Sequence, residues 1–296
     1  MRMMQRFSLN KTLLNKEWRD HRFMFLIYFC VISIPAIFGP LVFWLTLPTP
    51  YNELDWTQLT WLRDAYHMMD GGEPFSSIFS VFIAIGVGAM MLTNDRVTNT
   101  LEFLAALPVS RREILTSKYA VGALFLLVTV ALNVLALLCW ILLFGDVRYV
   151  AADAVEWGMQ FAGVLLALYS VSFLMSTIAG NRLAAGMLGL TATFGWHAFI
   201  GVLNNEIMSD YPYERSWLDY LSILNYMPSI MDPVGSGQPY LIFLGLLVFS
   251  LLCWFLSVKL FQRNPFENHG RFLVYKRLTL PLIALFVICV FLWFFR

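Results

Sequence analysis

Charge is scarce in this chain: only 13% of its 296 residues are Asp, Glu, Lys or Arg, about half the share of an ordinary soluble domain. Cysteine is scarcer still. Cys30, Cys139, Cys253 and Cys289 form no C-x-x-C pair and no Cys/His pairing, so neither a disulfide framework nor a zinc site is indicated. All four fall inside apolar runs, where a thiol packs as a small apolar group. H-E-x-x-H, G-x-S-x-G and paired aspartates within an apolar run are also missing, which removes the common templates for an intramembrane enzyme. His21, His67 and His269 lie at different surfaces of the expected fold and do not converge on a metal. There is no G-x-x-x-x-G-K-S/T loop, so any ATP that drives this chain is bound elsewhere. Internal repeats, low-complexity tracts and room for a soluble domain are lacking too.

What is abundant is long apolar sequence. The chain is 59% hydrophobic, and seven runs approach the roughly 20 residues needed to cross a bilayer. They are Phe23–Leu47, Phe75–Leu92, Tyr119–Phe144, Gly158–Gly180, Met187–Leu203, Tyr240–Val258 and Leu278–Phe295. With the N-terminus inside, only Arg63, Arg148, Arg215 and Arg296 fall outside, leaving 16 of the 20 basic residues on the cytoplasmic side. The positive-inside rule selects that orientation, and an odd number of spans puts the C-terminus outside. Net charge is +1 and gives no reason to expect nucleic acid. A cleaved signal peptide fits poorly, because the charged head is long, the apolar stretch is full span length and no A-x-A site follows.

None of these runs has Asp, Glu, Lys or Arg at its centre, and His197 is the lone ionisable group there besides the cysteines. Ion-coupled secondary transporters need titratable groups inside the membrane despite a cost of about 2.5–3.5 kcal/mol each. That disfavours an ion-coupled mechanism. Residues 8–22 read as an amphipathic helix at the cytoplasmic interface, with Leu9, Leu13, Leu14 and Trp18 near one face and Lys11, Lys16, Glu17 and Arg19 mostly elsewhere. On the outer side, Trp and Tyr crowd the loops at 49–74 and 204–239 as interface belts do. The stretch Trp217–Tyr226 reads as helical and placed to cap the outer end.

The segment Thr93–Lys118 concentrates the charge between the second and third runs. Val97, Leu101 and Leu104 share one helical face. Pro108 disfavours helix in the residue before it. Ser110 and Glu113 then have capping-box spacing for a new helix running through Lys118 into the third span. The plain alternative is a well-built intracellular hairpin with no partner.

The run TNTLEFLAALPVSRREILTSK at 98–118 resembles the hallmark of ABC-2 type permeases, the membrane subunits of certain bacterial ABC transporters. The N-terminal LNKEWRDHR is similar to that family's elbow helix, and FQRNPFE at 261–267 to its basic exit after the sixth span. The resemblance implies an all-α polytopic membrane protein: an elbow helix at 1–22, a six-span core at 23–262, and a basic loop and extra seventh span at 263–296. It makes 94–118 a coupling helix that docks on a separate cytoplasmic P-loop ATPase. The implied interface is Arg96, Thr98, Leu101, Glu102, Leu104, Pro108, Ser110, Arg111, Arg112 and Lys118, with the turn Asn181–Arg182 as a minor contact. ATP and Mg would sit on the ATPase, with no cofactor on this chain. A second identical or homologous permease would complete the membrane part, surrounded by lipid in the plasma membrane. The overall style is similar to Gram-positive permeases, including the Ytr-type subunits. Export of a hydrophobic or amphiphilic substrate is the implied activity. A permease-like subunit that senses envelope stress without transport, or an ion-coupled secondary transporter, is the alternative.

Overall fold

The computed structural model describes residues 11–46, 75–98, 100, 108–144, 147–207, 217–226, 239–263, 273, 274, 284 and 287. The described chain is almost entirely helical. Helix α1 is Lys11–Thr46, α2 Phe75–Val97, α3 Arg111–Phe144, α4 Val147–Ile178, α5 Arg182–Leu190, α6 Trp196–Ile207 and α7 Pro239–Gln262. A π turn, Thr191–Gly195, joins α5 to α6 without a break. Five helical stretches among the described residues are long and apolar enough to cross a membrane: Phe79–Val97, Arg111–Trp140, Ala154–Ile178, Arg182–Asn204 and Tyr240–Gln262. The seventh apolar run lies outside the described residues except for single positions.

Helix α1 runs 36 residues without interruption, so from Lys11 to Thr46 the expected elbow segment and first span form one rod about 54 Å long. That exceeds a hydrocarbon core of about 30 Å, and the polar first turns must project beyond it. Helix α3, with 34 residues, overshoots in the same way and packs along α1. Phe25 and Phe125 stack between them with centroids 4.3 Å apart.

Helix α4 is the centre of the bundle. Every residue from Val164 to Ser170 is buried, because α2, α3 and α7 surround it. Close approach to α2 depends on glycine: a Cβ at Gly88 would lie 2.6 Å from the Tyr169 carbonyl oxygen. The Ser172 hydroxyl uses that proximity, donating to the Ile85 carbonyl at 2.7 Å. Tyr119, Tyr169 and Phe173 form an aromatic knot at the α3–α4 contact. The Tyr119 hydroxyl lies 2.7 Å from Ser170 Oγ.

Helix α7 packs one side on α4 and leaves Leu241, Leu244, Leu252 and Phe255 exposed. In a bilayer such side chains meet lipid or another apolar helix at no hydrophobic penalty.

Candidate functional site at the basic end

The first turns of α1, α3 and α5 and the last turns of α2, α4 and α7 gather on one side of the bundle. Helix α2 finishes there with threonine side chains folded onto its last carbonyls. The Thr98 hydroxyl donates to Asn94 O at 3.0 Å, and that of Thr100 to Asp95 O at 3.4 Å. This satisfies acceptors that a helix end leaves open. Leu101, Glu102 and Leu104 lie outside the described residues.

The chain re-enters at Pro108, which is exposed, and the capping box closes. The Glu113 backbone N–H donates to Ser110 Oγ at 3.2 Å, and the Ser110 N–H donates to Glu113 Oε2 at 2.9 Å. Val109 packs with Ile114 and with Leu13 of α1, a hydrophobic staple that also fastens the new helix to its neighbour. Arg111 is exposed and donates to the Gln262 carbonyl at the end of α7, at 3.4 Å. Arg112 is half-buried.

Behind this corner sits a buried cluster of charge. Lys118 of α3 is fully buried, its Nζ 2.7 Å from Glu17 Oε2 of α1 and 2.5 Å from Asp95 Oδ2 of α2. Lys16 lies across the same carboxylates, 3.2 Å from Glu17 and 3.6 Å from Asp95, and 3.3 Å from Asp20. A fully buried ammonium is tolerable only with such partners, and here they come from two other helices. Burial works against the Lys16 charge, but Glu17 and Asp95 outweigh it and raise its pKa. His21 donates from Nδ1 to the Glu17 carbonyl at 3.1 Å. Burial, with the Lys118 ammonium nearby, pushes the His21 pKa down.

Arg96, next to Asp95 on α2, faces the other way. Its guanidinium donates to the carbonyls of Ser176 at 2.9 Å, Thr177 at 3.3 Å and Ala179. The remaining terminal carbonyl, on Ile178, accepts from the Val274 N–H at 2.9 Å, and Leu273 bridges to Ala179. A positive group at a helix C-terminus also complements its dipole. The α4–α5 turn is thus held by α2 and by a segment from beyond α7, while the Asn181 side chain accepts from Ala184 N–H at 2.7 Å to start α5.

Arg96 is 3% exposed and Lys118 0%, and intramolecular contacts engage both side chains. The first helix departs from its expected pattern. Glu17 does not lie off the apolar face of the first helix. It is 1% exposed while Trp18 is 50% exposed, because the ammonium groups of Lys118 and Lys16 pair with its carboxylate and outweigh hydropathy. A signal for this was present: Leu13, Glu17, His21 and Phe25 fall at i, i+4, i+8 and i+12, and all four are buried.

At the opposite end, Trp217–Leu221 and Ile223–Tyr226 form two short 3₁₀ turns. They bond to α6 and α4 through Trp196 Nε1 to Leu221 O at 3.0 Å, His197 Nδ1 to Ser222 Oγ at 2.9 Å, and Gln160 Nε2 to Tyr226 O at 3.0 Å. His197 therefore has a structural partner. No group of three or more His, Cys, Asp or Glu suited to a metal occurs among the described residues.

The family model described as ABC-2 family transporter protein matches residues 4–263. No curated protein matches the chain.

Proposed function

Because this chain belongs to the ABC-2 transporter family, we propose that it is the permease subunit of an ABC transporter. Energy enters through the corner between α2 and α3, and hydrolysis takes place on separate cytoplasmic P-loop ATPase subunits with ATP and Mg. The observation that carries this reading is the corner's construction. A reciprocally capped and stapled helix start is continuous with a 34-residue helix, so force on the corner acts along a rigid rod. The basic end is cytoplasmic by its charge. Thr98, Pro108, Ser110, Arg111 and Arg112, with Leu101, Glu102 and Leu104, supply the docking face, and Lys118 and Arg96 support it from behind.

The membrane part is completed by a second identical or homologous permease. Small polar groups such as Asn133, Ser172 and Ser176 interrupt an otherwise apolar interior. This suits a hydrophobic or amphiphilic cargo, and export is the direction proposed. Gentle solubilisation followed by mass spectrometry of co-purifying proteins tests the core of this reading. A P-loop ATPase should be recovered, and lost when Glu102 and Leu104 are replaced. Recovery of no ATPase would leave a stand-alone membrane protein and sink the proposal.

A further inference from the structure

Asp95 and Arg96 are adjacent on α2, yet they reach in opposite directions. Asp95 meets Lys118 of α3 at 2.5 Å and Lys16 of α1 at 3.6 Å. Arg96 meets the last carbonyls of α4 at Ser176, Thr177 and Ala179. Both side chains are buried, and links of this kind resist separation. Pulling the carboxylate off would strand Lys118 with a single counter-charge, and pulling the guanidinium off would strand backbone acceptors. The two arms share no atoms, so each can be cut without the other.

The geometry points to Asp95 and Arg96 as a two-armed positioning device at the end of α2. Through the carboxylate arm, α1 and α3 follow α2; through the guanidinium arm, the α4–α5 turn follows it. A displacement applied at the corner is then delivered to both sides of the bundle together, and the turn at 179–181 moves without having to touch a partner itself. This inference rests on the coupling reading above and adds how the input is divided. Neither residue is assigned a contact with the ATPase or the cargo; each acts through the helix ends it holds. Helix α5 also packs back on α2 and α4, since a Cβ at Gly189 would lie 2.7 Å from Ser172 Oγ and 3.1 Å from Ile85 Cγ2. The guanidinium arm therefore closes a ring of contacts through α2, α4 and α5.

The test is hydrogen exchange by mass spectrometry on the whole complex in lipid nanodiscs, with co-purified ATPase, without nucleotide and after trapping with ATP and orthovanadate. In the parent, trapping should change exchange both in peptides covering 11–22 and in peptides covering 179–190. Arg96→Gln should abolish the nucleotide response at 179–190 and leave that at 11–22. Asp95→Asn, which keeps the Glu17–Lys118 pair, should do the reverse. If Arg96→Gln does not fold, Arg96→Lys retains the charge but cannot straddle three carbonyls, and should weaken the 179–190 response selectively. A parental response at 179–190 in either Arg96 variant overturns the proposal, as does a change in exchange that is the same with and without nucleotide. Those results leave the coupling reading standing. Absence of any ATPase in the parental complex overturns that reading instead.

Discussion

Lys118 shows how far a single side chain depends on its surroundings. Its ammonium is fully buried between Glu17 and Asp95, and removing one partner of a buried pair typically costs about 3–5 kcal/mol. Glu17→Ala or Lys118→Ala should therefore lower the thermal unfolding midpoint of the purified protein strongly. The triple replacement Glu17→Gln, Asp95→Asn and Lys118→Met removes the three buried charges while keeping volume, leaves the part-exposed Lys16 paired with Asp20, and should recover most of the loss. A triple variant as unstable as Lys118→Ala would show that the charges themselves are needed. His21 adds a pH dependence. It precedes the expected first span, and the groups facing it are Glu17 on its own helix, Lys118 of α3 and Asp95 of α2. With its folded-state pKa below the usual 6.5, the folded protein binds fewer protons there than the unfolded chain. Stability is complete above pH about 6.5 and declines as pH falls from there through the lowered value. His21→Gln should flatten that part of the unfolding-midpoint profile, and an unchanged slope would remove His21 as its source.

At the scale of elements, the legible features were local ones. Ser110 and Glu113 stand three apart behind a proline, and the cap they form depends on little beyond that spacing. Ser110→Ala should cost about 1 kcal/mol and raise exchange at Arg111–Leu115, while Ser110→Asp should retain protection there. Equal protection in Ser110→Ala would mean that the Val109–Ile114–Leu13 staple alone fixes the helix start. The first helix was harder to read because its buried face is chosen by partners distant in sequence. Nothing within residues 8–22 says that Lys118 waits opposite Glu17, so hydropathy favoured Trp18 for burial. The same holds for Arg96, whose acceptors lie 80 or more residues away. Glycine at the α2–α4 crossing was equally silent. Gly88→Ala should destabilise by about 1–3 kcal/mol through overpacking, since the neighbours a Cβ meets include the Tyr169 and Phe173 backbone. A parental unfolding midpoint would mean that the two helices can part without cost.

For the molecule as a whole, the charged and loop-anchoring polar structure stands at two ends, with small polar groups such as Asn133 and Ser172 between them. One end holds the buried charge cluster, the capped corner and the pinned α4–α5 turn. The other holds the 3₁₀ turns bonded to α4 and α6 through Gln160, Trp196 and His197. The apolar content that marks the bundle as a membrane protein was readable from composition. The link between its two halves at the basic end was not, because it consists of a few long-range bonds. The functional reading needs that basic end to face the ATPase compartment. Trp18 and Tyr220, both exposed and at opposite ends, allow this to be checked by single cysteine substitution. A membrane-impermeant maleimide should label Tyr220→Cys in intact cells and Trp18→Cys only after permeabilisation, with the parent as the control for the native thiols. The opposite pattern would place the corner outside, beyond reach of any cytoplasmic ATPase. The charge cluster would then be a brace at the outer face of the bundle, and the corner could not be where energy enters.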